Sequence, residues 1–245
     1  MKKHVALFSS VLMMSTTLLG AGSVFAASQS TNASPESAKT PVQAVLELPE
    51  NGGTNPTPPT PPTNPSNPDS ENPGNKPNNP EGSFGIAYQP DIFNFGTTTL
   101  NESGNQEINA LMPKKGDNKF HIGVKDKTRE TKGWSLTAKL SGDITSQKGI
   151  TISLGNTTGD VQVNRGDSSN SNLVAAPTGS VTGVANVEIG TQSQQIMAGS
   201  EGYIHNDVYD YATGQVKMKI SDTKTIQAGN YSGNVDWNLA VVPGK

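Results

Sequence analysis

The sequence contains no cysteine, few aromatic residues and no large excess of either charge. Because none of the 245 residues is cysteine, a disulfide scaffold, an iron–sulfur cluster, a cysteine-ligated zinc site and a thiol nucleophile are excluded. Aromatic residues make up 5% of the chain and hydrophobic residues 32%, which is low for a fully folded protein. Either the core is small or part of the chain does not fold, and the positions of the prolines and aromatics decide between these.

The first 26 residues have the three parts of a secretory signal peptide. Lys2 and Lys3 give a basic start, residues 5–19 are mostly apolar, and a small-residue segment ending at Ala26 fits a cleavage site. Serines and threonines interrupt the apolar run, so it falls short of the ~20 apolar residues of a membrane anchor. We therefore expect an extracellular protein whose mature chain begins near residue 27 and has no transmembrane segment.

Residues 27–83 hold 13 of the 17 prolines and no aromatic residue. Proline fixes φ and removes a backbone donor, so neither a helix nor a strand ladder propagates easily through this segment. Few apolar side chains are present to offset the entropy of ordering. The composition predicts a disordered, extended tether, and the alternative is a ligand for a proline-binding module.

Residues 84–245 hold 11 of the 13 aromatic residues, with 14 Lys or Arg against 15 Asp or Glu. This segment is long enough for a real core, and its charge gives no reason to expect a nucleic-acid partner. Short β-rich runs separated by turn residues predict an all-β domain, an antiparallel β-sandwich or a barrel-like fold. The candidate strands are residues 86–88, 92–95, 106–110, 121–124, 135–140, 151–154, 161–163, 173–176, 184–189, 215–220 and 229–242.

One region does not alternate between apolar and polar residues. For residues 193–202 we expect a structured loop with a short helical turn at 194–198. Behind it lie Tyr203, His205, Tyr209 and Tyr211. These aromatics either form the rim of a ligand site or cover the edge of the core in a hairpin, and we favour the hairpin.

Two Trp-x-Leu triplets stand out in the predicted β domain, the second in a longer frame near the end of the chain. A Phe-x-Phe-Gly segment at residues 93–96 opens the domain. Behind a signal peptide and a proline-rich tether, these motifs resemble the WxL-domain cell-surface proteins of low-GC Gram-positive bacteria, over about two-thirds of the chain. The residues that match the family motifs are Trp134, Leu136, Tyr231, Trp237, Leu239 and Pro243.

The resemblance implies a non-catalytic surface protein that associates non-covalently with cell-wall peptidoglycan through its C-terminal domain. It also implies assembly with other WxL-locus surface proteins, so docking on a membrane-anchored partner is an alternative function. Adhesion to host matrix proteins is another. The two tryptophans have two possible roles, as core residues or as platforms for a sugar ring. Because each leucine lies two residues away and shares the face of its tryptophan, we favour the core role.

Residues 48–52, Leu-Pro-Glu-Asn-Gly, superficially match a sortase signal. Asn51 stands where such a signal needs threonine, and a proline-rich segment follows instead of an apolar span. We therefore expect retention at the surface without a covalent anchor.

The sequence contains no pattern typical of an enzyme, a cofactor site or a metal site. His121 and His205 are too far apart in sequence for a zinc motif, and there is no nucleophile elbow or phosphate loop. Residues 167–172 are rich in oxygen ligands but lack the glycine and glutamate of a calcium loop. We expect no metal, no cofactor and no catalysis, and a polar turn at 167–172.

Overall fold

The computed structural model describes residues 36–61 and 71–242. The chain divides into two units, Met1–Leu46 and Glu47–Lys245. In the first unit the described residues, 36–46, are exposed and form no helix or strand. The predicted signal peptide lies outside the described residues, and everything below concerns the second unit.

The described part of the second unit is all-β, as predicted, with 14 strands numbered in chain order in three antiparallel sheets. The unit also contains three short 3-10 helices, Glu50–Gly52, Asp143–Ser146 and Thr223–Thr225. Sheet A contains, in spatial order, β1 (Asn75–Pro77), β2 (Phe84–Pro90), β4 (His121–Asp126), β12 (Asp207–Ala212), β7 (Val161–Asn164) and β8 (Leu173–Ala175). Sheet B contains β10 (Glu188–Ile189), β6 (Ile150–Leu154), β13 (Val216–Ile220) and β3 (Gln106–Asn109). Sheet C contains β14 (Asn234–Val241), β5 (Trp134–Ser141), β11 (Gln194–Gly199) and β9 (Val181–Gly183).

All three sheets contribute side chains to one hydrophobic core. Ile122 and Tyr211 come from sheet A, Leu154 from sheet B, and Trp134 and Leu136 from sheet C, and all five are buried in the same cluster. Strands β5 and β6 alternate strictly between buried inner residues and more exposed outer ones. This is the period-two pattern of a sheet with one face in the core and the other in water.

Strand β4 departs from this pattern, because all six of its residues are buried. Ile122 and Val124 point into the core cluster. On the other face, Tyr88 of β2 pairs with Gly123 of β4, and a Cβ at Gly123 would overlap the Tyr88 ring. A glycine is therefore needed here so that the ring can lie flat on the strand, and Tyr88 forms a second small cluster with Ala87 and Val208.

A proline-rich segment covers this outer face of sheet A. We call it the strap and define it as residues 51–61 and 71–80. Four of its prolines, at positions 56, 58, 59 and 73, are buried, and β1 pairs with β2. The structure thus differs from the expected tether over these residues, since ordered contacts with the sheet begin well before residue 84. Proline rings bury without an N–H that needs a partner, and their carbonyls still accept hydrogen bonds.

Side chains from the sheet supply the donors that hold the strap. The Nζ of buried Lys125 donates to the carbonyl oxygens of Asn51 at 2.8 Å, Gly53 at 3.3 Å and Pro80 at 3.4 Å. Burial lowers the pKa of Lys125, with a smaller contribution from the neighbouring Lys127. Since a buried ammonium is costly without partners, the three carbonyls explain why this lysine is tolerated in a central strand.

Asn75 is the strap residue most firmly held in the fold. Its side chain is fully buried, its Oδ1 accepts a hydrogen bond from the His121 N–H at 2.7 Å, and its Nδ2 donates to the Thr60 carbonyl at 3.4 Å. On β7, two strands away from β4, Asn164 Nδ2 donates to the Thr57 carbonyl at 3.0 Å. The strap is therefore tied to sheet A at several points along its length.

Beneath the strap lies a chain of hydrogen-bonded polar side chains, in which Tyr88, His121 and Asp210 are buried and Asp117 at the end is exposed. The Tyr88 hydroxyl donates to Asp210 Oδ1 at 2.7 Å, His121 Nδ1 lies 2.8 Å from Asp210 Oδ2, and His121 Nε2 lies 3.0 Å from Asp117 Oδ2. Burial by itself lowers the pKa of His121, but the Asp210 charge and the hydrogen bonds with Asp117 and Asp210 raise it to about 9. Burial raises the pKa of Asp117, but the hydrogen bond and charge of His121 outweigh it, and the net shift is downward. The geometry therefore favours a protonated His121 between two carboxylates.

The predicted helical turn at 194–198 is wrong, because these residues form β11 between β5 and β9 of sheet C. The register shifts between Gln195 and Met197, and this bulge leaves both Ile196 and Met197 buried. Two consecutive buried residues interrupt the alternation by which a strand is recognised in a sequence.

The strand predicted at residues 92–95 is also wrong, because these residues form no strand. Phe93 instead packs edge-on against Phe120, with 5.0 Å between the ring centroids. Every other predicted strand overlaps an observed one.

Candidate functional site

The two Trp-x-Leu motifs lie on adjacent antiparallel strands of sheet C. Strand β5 carries Trp134 and Leu136, and β14 carries Trp237 and Leu239. In the register of the pair, Leu239 lies opposite Leu136, Trp237 opposite Ala138, and Val241 opposite Trp134. Residues directly opposite each other in an antiparallel pair share a face. Both motifs therefore direct their large apolar side chains to the core side of one sheet.

Trp134 is a core residue, with 1% of its surface exposed. Its indole lies against the rings of Tyr209 and His205, with 5.8 Å and 6.2 Å between the ring centroids. Gly199 of β11 approaches the indole so closely that a Cβ at this position would overlap it. The indole Nε1 is buried and has no hydrogen-bond partner among the described residues. Trp134 thus has no free face on which a sugar ring could stack.

The second motif is less deeply placed. Trp237 and Leu239 are partly buried and pack against the same core cluster from β14, which is an edge strand of sheet C. Tyr231, which begins the longer frame, donates from its hydroxyl to the Gln227 carbonyl at 2.9 Å. Pro243, which ends the frame, lies outside the described residues. The structure therefore brings the four Trp and Leu residues together and places Tyr231 in the turn before β14.

The four residues considered as an aromatic rim are not placed as a rim. His205, Tyr209 and Tyr211 are buried, whereas Tyr203 is 42% exposed. His205 contacts the Tyr209 hydroxyl through Nδ1 and the Ser200 carbonyl oxygen through Nε2, both at 3.0 Å. The Tyr211 hydroxyl donates to the Val184 carbonyl at 2.7 Å. Burial raises the pKa of Tyr211 to about 12 and that of Tyr209 still further, so both phenols stay neutral.

The outer face of sheet C is polar and open. It carries the residues that alternate with the motif tryptophans and leucines, and Thr137 stands opposite both Asn238 of β14 and Gln195 of β11. Asn238 and Gln195 are exposed, and the Ser135 hydroxyl donates to Gln195 Oε1 at 3.4 Å. The intervening positions of the two motifs, Ser135 and Asn238, both belong to this face.

A groove of about 790 Å³ adjoins this face. The residues that line it include the polar residues Gln147, Thr151, Gln192, Gln194 and Gln195 and the charged residues Lys148 and Glu188. Because Gln195 of β11 lines the groove and also stands opposite Thr137 on the outer face, the two surfaces share this residue. The amides and hydroxyls of the groove stand beside aliphatic residues, among them Ile150 and Val187.

The described residues give no sign of a metal centre or a membrane span. Among residues 36–61 and 71–242, no group of three or more His, Asp or Glu side chains has the geometry to hold a metal ion. In the same part of the chain, no helix has the length and apolar character needed to cross a membrane.

A comparison with known protein families identifies the family of this chain. A family model described as "WxL domain surface cell wall-binding" matches residues 26–243. The chain belongs to the WxL family. No curated protein and no solved structure shows significant similarity to it. Membership of this surface and cell-wall-binding family implies a place at the cell surface or in the cell wall.

The WxL match begins at residue 26 and therefore includes the strap. In the sequence, the tryptophans and leucines of the motifs are distinctive, whereas Ser135, Thr137 and Asn238 carry no signal of a binding role. The strict alternation of β5 already placed the polar residues of that strand on a shared outer face. The register that brings Asn238 and Gln195 to the same row as Thr137 is a property of the folded sheet alone.

Proposed function

We propose that this WxL protein is exported and is held at the cell surface by non-covalent binding of its β domain to the glycan of wall peptidoglycan. The observation that carries the proposal is the match to a cell-wall-binding family over residues 26–243. It acts in this account as a binding protein with no catalytic step. Export rests on the signal-like sequence of the first 26 residues.

The charge of the domain favours a neutral ligand. The folded unit, residues 47–245, carries 15 basic and 20 acidic residues, so its net charge of −5 does not attract an anionic wall polymer. Binding would then depend on hydrogen bonds and apolar contacts, which salt screens little. We expect wall binding to change by less than about twofold between roughly 50 mM and 500 mM salt.

A second candidate function is docking on a partner protein, and the edge of sheet C favours it. Within residues 36–61 and 71–242, β14 pairs with β5 on one side only, and Val241 at its end is 49% exposed. An unpaired edge strand is a template for an added strand from another chain. In that case wall association would be indirect.

Sedimentation with isolated walls tests the proposal and separates the two candidates. The mature chain, residues 27–245, is mixed with walls stripped of protein, with untreated walls, and with an unrelated insoluble polysaccharide as control. Direct glycan binding predicts that the protein pellets with both wall preparations and not with the control. If it pellets with untreated walls alone, the partner-docking function is supported and direct binding is refuted.

A further inference from the structure

We propose that the outer face of sheet C, continued by the groove at Gln194 and Gln195, is the surface that binds the glycan strand. This inference rests on the proposed function, because it names the face that performs it. The contact residues are then the polar side chains between the motif positions. The tryptophans and leucines of the motifs serve to build the sheet that presents them.

A single row of polar side chains crosses three strands of this face. Asn238, Thr137 and Gln195 stand opposite one another in β14, β5 and β11, and opposite residues in an antiparallel sheet point the same way. The Thr137 hydroxyl lies 3.4 Å from the Asn238 carbonyl oxygen. Since Asn238 and Gln195 are exposed, their amides remain open to a ligand.

The chemistry of the row suits an uncharged polyol. Each amide offers two donors and an acceptor, and each hydroxyl offers one donor and two acceptor lone pairs. Sugar hydroxyls need the same mixture of donors and acceptors. The charged residues in these two strands, Lys139 and Asp236, stand opposite each other, so the pair contributes no net charge. A polyanion would therefore find no net positive charge to bind on this face. A neutral glycan strand does not need one.

The shape of the surface suits a linear polymer. The eight residues of β14 make an edge of roughly 27 Å, and Gln195 of the polar row also lines the groove, together with Gln192 and Gln194. The groove is wide and open rather than a closed pocket, which fits a repeating chain better than a small molecule. An extended ligand can contact the row and the groove at the same time.

The core side of the same sheet explains why such a face is effective. Trp134 and Leu136 are almost fully buried, and Trp237 and Leu239 pack against the same cluster. These apolar contacts in the core hold β5 and β14 in register. The protein surface therefore loses little conformational entropy when a ligand binds.

The test compares two sets of valine substitutions in the mature chain. The first set, Thr137→Val, Gln195→Val and Asn238→Val together, removes the polar row while keeping residues that favour strands. The matched control, Asn109→Val with Ser153→Val, makes the same kind of change on sheet B, where both residues stand opposite Lys217. Folding is checked by circular dichroism and thermal unfolding, and binding is measured on peptidoglycan stripped of protein and of anionic polymers.

We expect the row variant to bind at least about tenfold more weakly than the unmodified chain, since each lost hydrogen bond weakens binding several-fold. The sheet B control should bind normally. Equal binding by the row variant and the unmodified chain would overturn the inference and leave the proposed function standing. No binding by the unmodified chain would instead refute the proposed function, and the inference with it. Should the triple variant unfold, the single changes Gln195→Ala and Asn238→Ala at exposed positions take its place, and unchanged binding by both overturns the inference.

Discussion

Replacing Trp134 with alanine removes the largest side chain at the centre of the core, and the cost can be worked from its surroundings. The indole is 1% exposed and touches the rings of Tyr209 and His205, so we expect a loss of about 3–5 kcal/mol in the free energy of unfolding. Trp237 is only partly buried on an edge strand, and the same change there should cost roughly 1–2 kcal/mol. The two motif tryptophans therefore contribute unequally to the stability of the fold.

Urea denaturation followed by circular dichroism measures both losses. A Trp134→Phe variant provides a milder control, because it keeps an aromatic ring and removes the Nε1 donor that has no partner among the described residues. We also expect the folded Trp237→Ala protein to keep wall binding within about threefold of normal. Equal destabilisation by the two alanine variants, or a folded Trp237→Ala protein that no longer binds walls, would refute the reasoning. The second result would identify Trp237 as a contact residue.

Three further predictions concern stability. The pKa of His121 is raised from 6.5 to about 9. The contribution of protonated His121 to the free energy of unfolding is therefore complete below about pH 6.5 and is lost as the pH rises through 9. Urea titrations across that range should show a fall on the order of 3 kcal/mol, and a His121→Asn variant should show a flat profile. Asn75→Ala should cost about 1–3 kcal/mol and speed hydrogen exchange in the strap, whereas Lys76→Ala at an exposed position should change neither. Gly199→Ala should cost about 1–3 kcal/mol because the new Cβ meets the buried indole. Gly190→Ala, whose Cβ would meet one methyl group at 3.7 Å, should be close to neutral in thermal unfolding.

The alternation of single strands was enough to predict the fold class and the inner faces of β5 and β14. Trp134, Leu136, Ala138 and Leu140 all lie on the core side, as their spacing indicates. Pattern reasoning failed where the backbone leaves strict period two. The bulge in β11 buries Ile196 and Met197 in succession, and the segment therefore did not look like a strand.

The order of the strap could not be predicted from its own composition. Its proline-rich residues are held by donors far away in the chain, since the Lys125 ammonium binds the carbonyl of Asn51 and Asn164 binds that of Thr57. Local propensity describes only the cost of ordering such a segment. The compensating contacts are tertiary, so they become visible only when sheet A is assembled.

The candidate binding surface could not be predicted from the sequence for a related reason. Thr137 and Asn238 are ordinary strand residues in sequence, about a hundred positions apart, and only the pairing of β5 with β14 brings them into one row. The motifs are conspicuous because the chain contains two tryptophans and each lies in a Trp-x-Leu triplet. In the folded protein those residues are inside, and the unremarkable residues between them face outward.

The most direct test of the binding surface is a nuclear magnetic resonance titration of the isotope-labelled mature chain with soluble peptidoglycan glycan fragments. We expect the backbone amide resonances of Thr137, Gln195 and Asn238 to shift together and to saturate with one affinity. A response confined to another surface, such as the exposed loop at Tyr203 and Ile204, with the sheet C row unchanged, would contradict this expectation.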